Sequence, residues 1–113
     1  QATPTLRHDG AIVLADLRGS LHALHPDGTR LFRYDAGCDY FLAGSVCEAG
    51  GASFLGDPLG RLHVVGPQGK GKPVFEAGRS LQARPSFAPD GTLHLPATDR
   101  TVWVFPAKPL AQA

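Results

Sequence analysis

GSLHALHPDGTRLFRY, residues 19–34, holds two short apolar runs on either side of a Pro-Asp-Gly turn. Leu21-His22-Ala23-Leu24 stops at His25-Pro26-Asp27-Gly28, and Arg30 to Tyr34 follows. Short apolar runs bounded by turn residues suit strands covered on both faces. Asp tolerates positive φ and Gly favours it, so Asp-Gly marks a tight reversal. The pattern returns 41 residues later, as Leu62-His63-Val64-Val65, and again 40 residues beyond that, as Val102-Trp103-Val104-Phe105. Pro4 to Gly28, Ser45 to Gly69 and Pro85 to Pro109 lie over one another without internal gaps. Gly10, Gly51 and Gly91 coincide, as do Gly19, Gly60 and Arg100, the last an Arg where Gly is expected. A fixed period of this size marks units that cannot bury an apolar face alone and must stack on their neighbours.

Each unit reads as a series of strands. The first is Thr5-Leu6, Val46-Cys47 or Ser86-Phe87, and the second Ala11 to Ala15, Ala52 to Gly56 or Thr92 to Pro96. The third is the apolar run above. The fourth is Arg30 to Tyr34, or Lys72 to Phe75 after an expected two-residue insertion in the Gln68 to Lys72 loop. The third unit has no fourth strand, because Lys108 to Ala113 is short and proline-broken. No stretch has helical periodicity, and the 14 Gly and 10 Pro stand at punctuation points throughout the chain. The expected fold is all-β: about three four-stranded antiparallel blades of a β-propeller, the last incomplete. All of residues 1–113 form one partial propeller domain, with repeats at about 1–38, 39–79 and 80–107 and a tail at 108–113.

GSLHALHPDGTRLFRY and PSFAPDGTLHLPATDRTVWVF, residues 85–105, resemble the repeats of quinoprotein-type (PQQ-like) propellers. Gly19, Leu21, Ala23 and Leu24 match the strand of that repeat, and Gly28 its later glycine. His22 and His63 stand where Tyr is usual, and Phe32 and Phe75 replace the docking Trp. The resemblance covers roughly residues 3–107. It implies a propeller, and a family that spans quinone-dependent dehydrogenases and non-enzymatic assembly proteins. The quinone and metal site of the dehydrogenases cannot be placed on this chain, which has one Trp and no Asn. No cofactor, metal or catalytic residue is therefore assigned.

Composition narrows the rest. The 113 residues are 42% apolar and 19% charged, with a net charge of +1, which suits a folded domain and gives no footprint for nucleic acid. No apolar run reaches the length of a membrane span. The chain opens Gln1-Ala2 and contains no Met, so a cleaved leader or a longer parent chain is expected upstream. Cys47 aligns with Leu6 and Phe87, which read as core positions. It reads as a buried small hydrophobe, or as one half of a Cys38–Cys47 disulfide that fits an oxidising compartment, and least as a catalytic cysteine, since no His stands in a matching motif.

Repeat-equivalent His22 and His63 read as packing residues, and Asp16 and Asp57 as turn acceptors. The non-repeated connectors are the candidate partner contacts: Tyr40 and Phe41 in one, Arg79 and Arg84 in the other. Propellers close with roughly four to eight blades, more than this chain supplies. The expected function is a non-enzymatic protein-binding or scaffold module that completes a ring with further blades, copies of itself or another subunit. The expected setting is periplasmic or extracellular. The alternatives are a fragment of a PQQ-dependent dehydrogenase and part of a propeller ligand sensor.

Overall fold

The structure is a computed structural model that describes residues 4–16, 18–38, 45–47, 50–81, 83–97 and 100–106, with backbone alone for Val46 and Cys47. It is all-β, and no helix occurs among the described residues. The first sheet is a meander of β1 (Thr5–Leu6), β2 (Ile12–Ala15), β3 (Ser20–Leu24) and β4 (Arg30–Asp35). The second runs β5 (Val46–Cys47), β6 (Ser53–Gly56), β7 (Arg61–Val65) and β8 (Gly71–Glu76). The third holds β9 (Ser86–Phe87), β10 (Thr92–Pro96) and β11 (Val102–Pro106). All pairings are antiparallel between sequence neighbours, as short loops require.

One loop design recurs. In the loop from Arg7 to Ala11, the Arg7 N–H donates to the Ala11 carbonyl at 2.8 Å and the Gly10 N–H to the Arg7 carbonyl at 3.0 Å. The loops His25–Thr29, Gly66–Lys70, Ala88–Thr92 and Ala97–Thr101 close the same way. This is a type I turn followed by a left-handed residue, a three-residue hairpin loop. The Asp of each Asp-Gly keeps negative φ and acts through its side chain: Asp27 Oδ1 accepts from Thr29 N at 2.9 Å, and Asp90 Oδ1 from Thr92 N at 3.0 Å.

Only Arg100 takes the left-handed position without being Gly, at φ 72° among the described residues. A side chain there costs about 1–2 kcal/mol, part of which Gly would return as unfolded-chain entropy. Arg100→Gly should therefore stabilise the protein by about 0.5–1 kcal/mol, read as a raised urea midpoint with unchanged slope. An unchanged or lowered midpoint would show that Arg100 makes compensating contacts.

The expected insertion in the second unit does not occur. Strand β8 starts 41 residues after β4, and Gly66–Lys70 matches His25–Thr29 bond for bond. The difference is a bulge that moves: the register shifts between Ala23 and Leu24 in the first sheet, and between Leu62 and His63 in the second. Gly71 and Pro73 are poor strand formers, which hid the first half of β8. They are tolerated because β8 is an outer strand whose far side needs no N–H.

The sheets stack face to face. Val13, Ala15, Leu21, Ala23 and Phe32 of the first pack against Leu55 and Val65 of the second. Ala52, Phe54, Leu62 and Val64, from the other side of the second, pack with Leu93 and Leu95 of the third. Gly69, at φ 98°, lets its turn lie against β4 at the first of these junctions, where a Cβ on it would stand 2.6 Å from that of Phe32. Burial records the order. Along β2 and β3 apolar positions alternate between buried and half-buried, whereas β6 is buried at every position. A strand covered on one face alternates and one covered on both does not. Leu6 departs from expectation: it is exposed, not a core position.

Candidate functional site

The chemistry-bearing side chains gather where the first two sheets meet. Asp57 follows β6 and is fully buried. Its Oδ1 accepts from the N–H groups of Leu59 and Arg61, both at 2.9 Å, closing the turn as Asx residues do. Its Oδ2 accepts from Arg61 Nε at 2.9 Å and from His63 Nε2 at 2.7 Å. The other ring nitrogen, His63 Nδ1, lies 2.8 Å from the Tyr34 hydroxyl on β4 of the neighbouring sheet. An ionised Asp57 fixes the proton on Nε2, so Nδ1 accepts and Tyr34 donates. Arg61 Nη2 also crosses the junction, to the Ala36 carbonyl at 3.0 Å.

Electrostatics agree with that assignment. Burial pushes the Asp57 carboxyl up, but the bonds from His63 and from the Arg61 main chain outweigh it and hold the group below its ordinary value. Burial likewise lowers His63, offset in part by Asp57, so the imidazole is neutral. Burial raises the Tyr34 phenol. Tyr34–His63–Asp57 has the connectivity of a hydroxyl–imidazole–carboxylate relay, but its hydroxyl is spent on the junction. Both ring nitrogens of His63 are engaged as well, leaving no lone pair for a metal. The trio is an inter-sheet latch.

Tyr34→Phe leaves buried His63 Nδ1 without a donor and should cost about 1–3 kcal/mol. Phe32→Tyr, an added hydroxyl at a neighbouring buried position, would not restore it. Equal stability of Tyr34→Phe and the parent in urea unfolding would show that the bond contributes nothing.

The repeat-equivalent groups show what varies between junctions. In the first sheet Asp16 Oδ1 accepts from Arg18 N at 2.8 Å and Ser20 N at 2.9 Å, and Oδ2 faces His22 Nε2 at 2.7 Å. In the third sheet the carboxylate position is Ala97 and the imidazole position is Trp103, whose buried Nε1 has no partner among the described residues. Across the second junction Trp103 meets Phe75, ring centroids 4.8 Å apart at 63°, where Tyr34 meets His63 at 5.6 Å and 68°. Donor, acceptor and carboxylate change together. The sequence carried this signal, as Asp and His six apart in two units and Ala and Trp in the third. Reading Asp16, Asp57, His22 and His63 separately missed it.

Arg7, also unforeseen, is buried near the same junction. Its Nη1 donates to the Pro67 carbonyl at 2.9 Å and its Nη2 to Asp9 Oδ2 at 2.7 Å. A cleft of about 280 Å³ lies beside it, lined by Arg7, His8, Asp9, Gly50 and Gly51. Among the described residues no three His, Cys, Asp or Glu side chains gather as a metal site.

Of the candidate partner contacts, Tyr40 and Phe41 lie outside the described residues, as does the side chain of Cys47 and hence the Cys38–Cys47 pairing. Arg79 and Arg84 are exposed on the connector between β8 and β9. That connector is anchored by Leu81, fully buried over Gly56, with its N–H on the Asp57 carbonyl at 3.1 Å. No described helix is long and apolar enough to cross a membrane. Comparison with protein-family models finds no match, and comparison with curated proteins finds none.

Proposed function

We propose that this chain is a non-enzymatic protein-binding or scaffold module whose sheets are PQQ-like propeller blades, working in the periplasm or outside the cell. In this reading a ring is completed by further blades or a partner chain. One observation carries it: among the described residues, no sheet covers either end of the stack as both faces of the middle sheet are covered. Val102 and Val104 are 51% and 55% exposed, although their repeat equivalents Leu21 and Ala23 are fully buried against a neighbouring sheet. Adjacent exposed apolar side chains of this kind mark an interaction face. Strand β11 is also an edge among the described residues, open to an added strand by β-augmentation. Tyr40, Phe41, Arg79 and Arg84 are the connector contacts that we assign to the partner.

The test is a Val102→Lys/Val104→Lys double variant compared with the parent by light scattering. The reading expects the parent to associate and the variant to approach 11.9 kDa with unchanged β-sheet circular dichroism. Equal masses for the two would contradict it. Added pyrroloquinoline quinone with Ca²⁺ should give no bound-cofactor absorbance, whereas a quinoprotein fragment would give one.

A further inference from the structure

We propose that the outward face of the first sheet seats a further β-sheet whose fourth strand presents a tyrosine hydroxyl to Nδ1 of His22. The proposal rests on the ring-completion reading and specifies the chemistry of the missing neighbour.

The first junction is the template. On the second sheet, Leu55, His63 and Val65 form the face that meets the first sheet, and all three are fully buried. Their equivalents 41 residues earlier, Leu14, His22 and Leu24, lie on the outward face of the first sheet and are only half-buried. The His22 side chain keeps 24% exposure where that of His63 keeps none. Both histidines hold their carboxylate through Nε2 at the same 2.7 Å. In the neutral ring that bond puts the proton on Nε2 and leaves Nδ1 as an acceptor. His63 Nδ1 has its donor, Tyr34; among the described residues His22 Nδ1 has none.

The second junction shows that the donor is tied to the acceptor. There the imidazole is replaced by Trp103 and the carboxylate by Ala97, and the facing residue is Phe75 in place of Tyr34. The face bearing Asp and His thus meets a hydroxyl, whereas the face bearing Ala and Trp has no acceptor to satisfy and meets a plain ring, with Trp103 Nε1 unpartnered among the described residues. A sheet meeting Leu14, His22 and Leu24 must bring apolar cover and one O–H donor, or else bury His22 Nδ1 unpaired at about 1–3 kcal/mol.

A second copy of this chain does not meet that demand. Its available face is the third sheet, whose hydroxyls Ser86 and Thr92 stand on β9 and β10 and not on a fourth strand, and residues 107–113, which follow β11, contain no Tyr, Ser or Thr. Two first sheets face to face would oppose acceptor to acceptor. The occupant is thus a sheet of the same repeat with a tyrosine of its own.

The probe is a second copy of residues 4–44, whose fourth strand carries such a tyrosine, fused in front of the intact chain. It is compared with the same fusion carrying Tyr→Phe at the added copy's counterpart of Tyr34. The tyrosine fusion should melt about 3 °C above the phenylalanine fusion. The ¹⁵N resonances of the His22 ring should move to the His63 pattern in the tyrosine fusion alone.

If both fusions gain stability over the parent equally and the His22 ring is unmoved, the tyrosine requirement falls while ring completion stands. An added repeat that stays unfolded, or that leaves the parent's melting midpoint where it was, overturns both. The His22 shift appearing in the unfused chain on concentration would assign the face to a second copy and overturn this proposal.

Discussion

Asp57→Ala is expected to lower stability by about 3–5 kcal/mol, a large share of what a domain of this size possesses. Asp57 accepts four hydrogen bonds with no exposure, so its loss strands the Leu59 and Arg61 N–H groups, Arg61 Nε and His63 Nε2 together. Asp16→Ala removes the repeat-equivalent turn and His22 partner where both are partly exposed, and should cost only about 1 kcal/mol because water replaces what is lost. Urea unfolding of the two variants side by side checks the claim. Equal losses would mean that the second sheet is not covered on both faces.

The second large effect is a loss of stability in mild acid. His63 is held neutral in the fold, with its pKa below the ordinary 6.5, so below pH 6.5 the unfolded chain takes up a proton that the folded chain refuses. Its contribution is whole above pH 6.5 and is lost as pH falls through that value. Asp57 is depressed below 3.8, so its contribution is whole above about pH 4 and is lost only as pH falls further. Two windows result, and the upper one belongs to the latch. The urea midpoint should fall between pH 7 and pH 5 in the parent. It should stay level in a Tyr34→Phe/His63→Phe variant, which lacks the titrating ring. A parent midpoint flat over that range would contradict the assignment of neutral, junction-buried His63.

Much of the local structure could be read from the chain because punctuation sets it. Thr5-Leu6, Val46-Cys47 and Ser86-Phe87 are strands as expected, and the loops that follow the first and the third close in the same way. The Arg100 exception was visible as a residue standing where two glycines stand, and its φ of 72° is the physical meaning of that mismatch. The β8 strand was shortened in the reading because Gly71 and Pro73 argue against a strand locally, while pairing to Val65 and His63 overrides them. Leu6 was misplaced because a two-residue strand gives no alternation from which to choose a face.

The site was less legible. Asp57 and His63 were seen as repeat-equivalent to Asp16 and His22, and the turn role read for Asp57 is the one its Oδ1 fills. That Asp and His join, and that Tyr34 comes from the sheet before, depends on side chains meeting across 29 residues of chain. Periodicity reports which positions correspond, not which of them touch. The touching becomes inferable only when Ala97 and Trp103 of the third unit replace Asp and His while Phe75 of the second unit replaces the facing Tyr.

The most direct check on the proposal that both end sheets of the stack receive a partner is the mass of the unaltered chain by light scattering, followed down a dilution series with circular dichroism. Association above 11.9 kDa at high concentration, giving way on dilution to a less stable species, is the predicted result. A monomer of 11.9 kDa that keeps its full β-sheet signal and an unchanged melting midpoint at every concentration would contradict it.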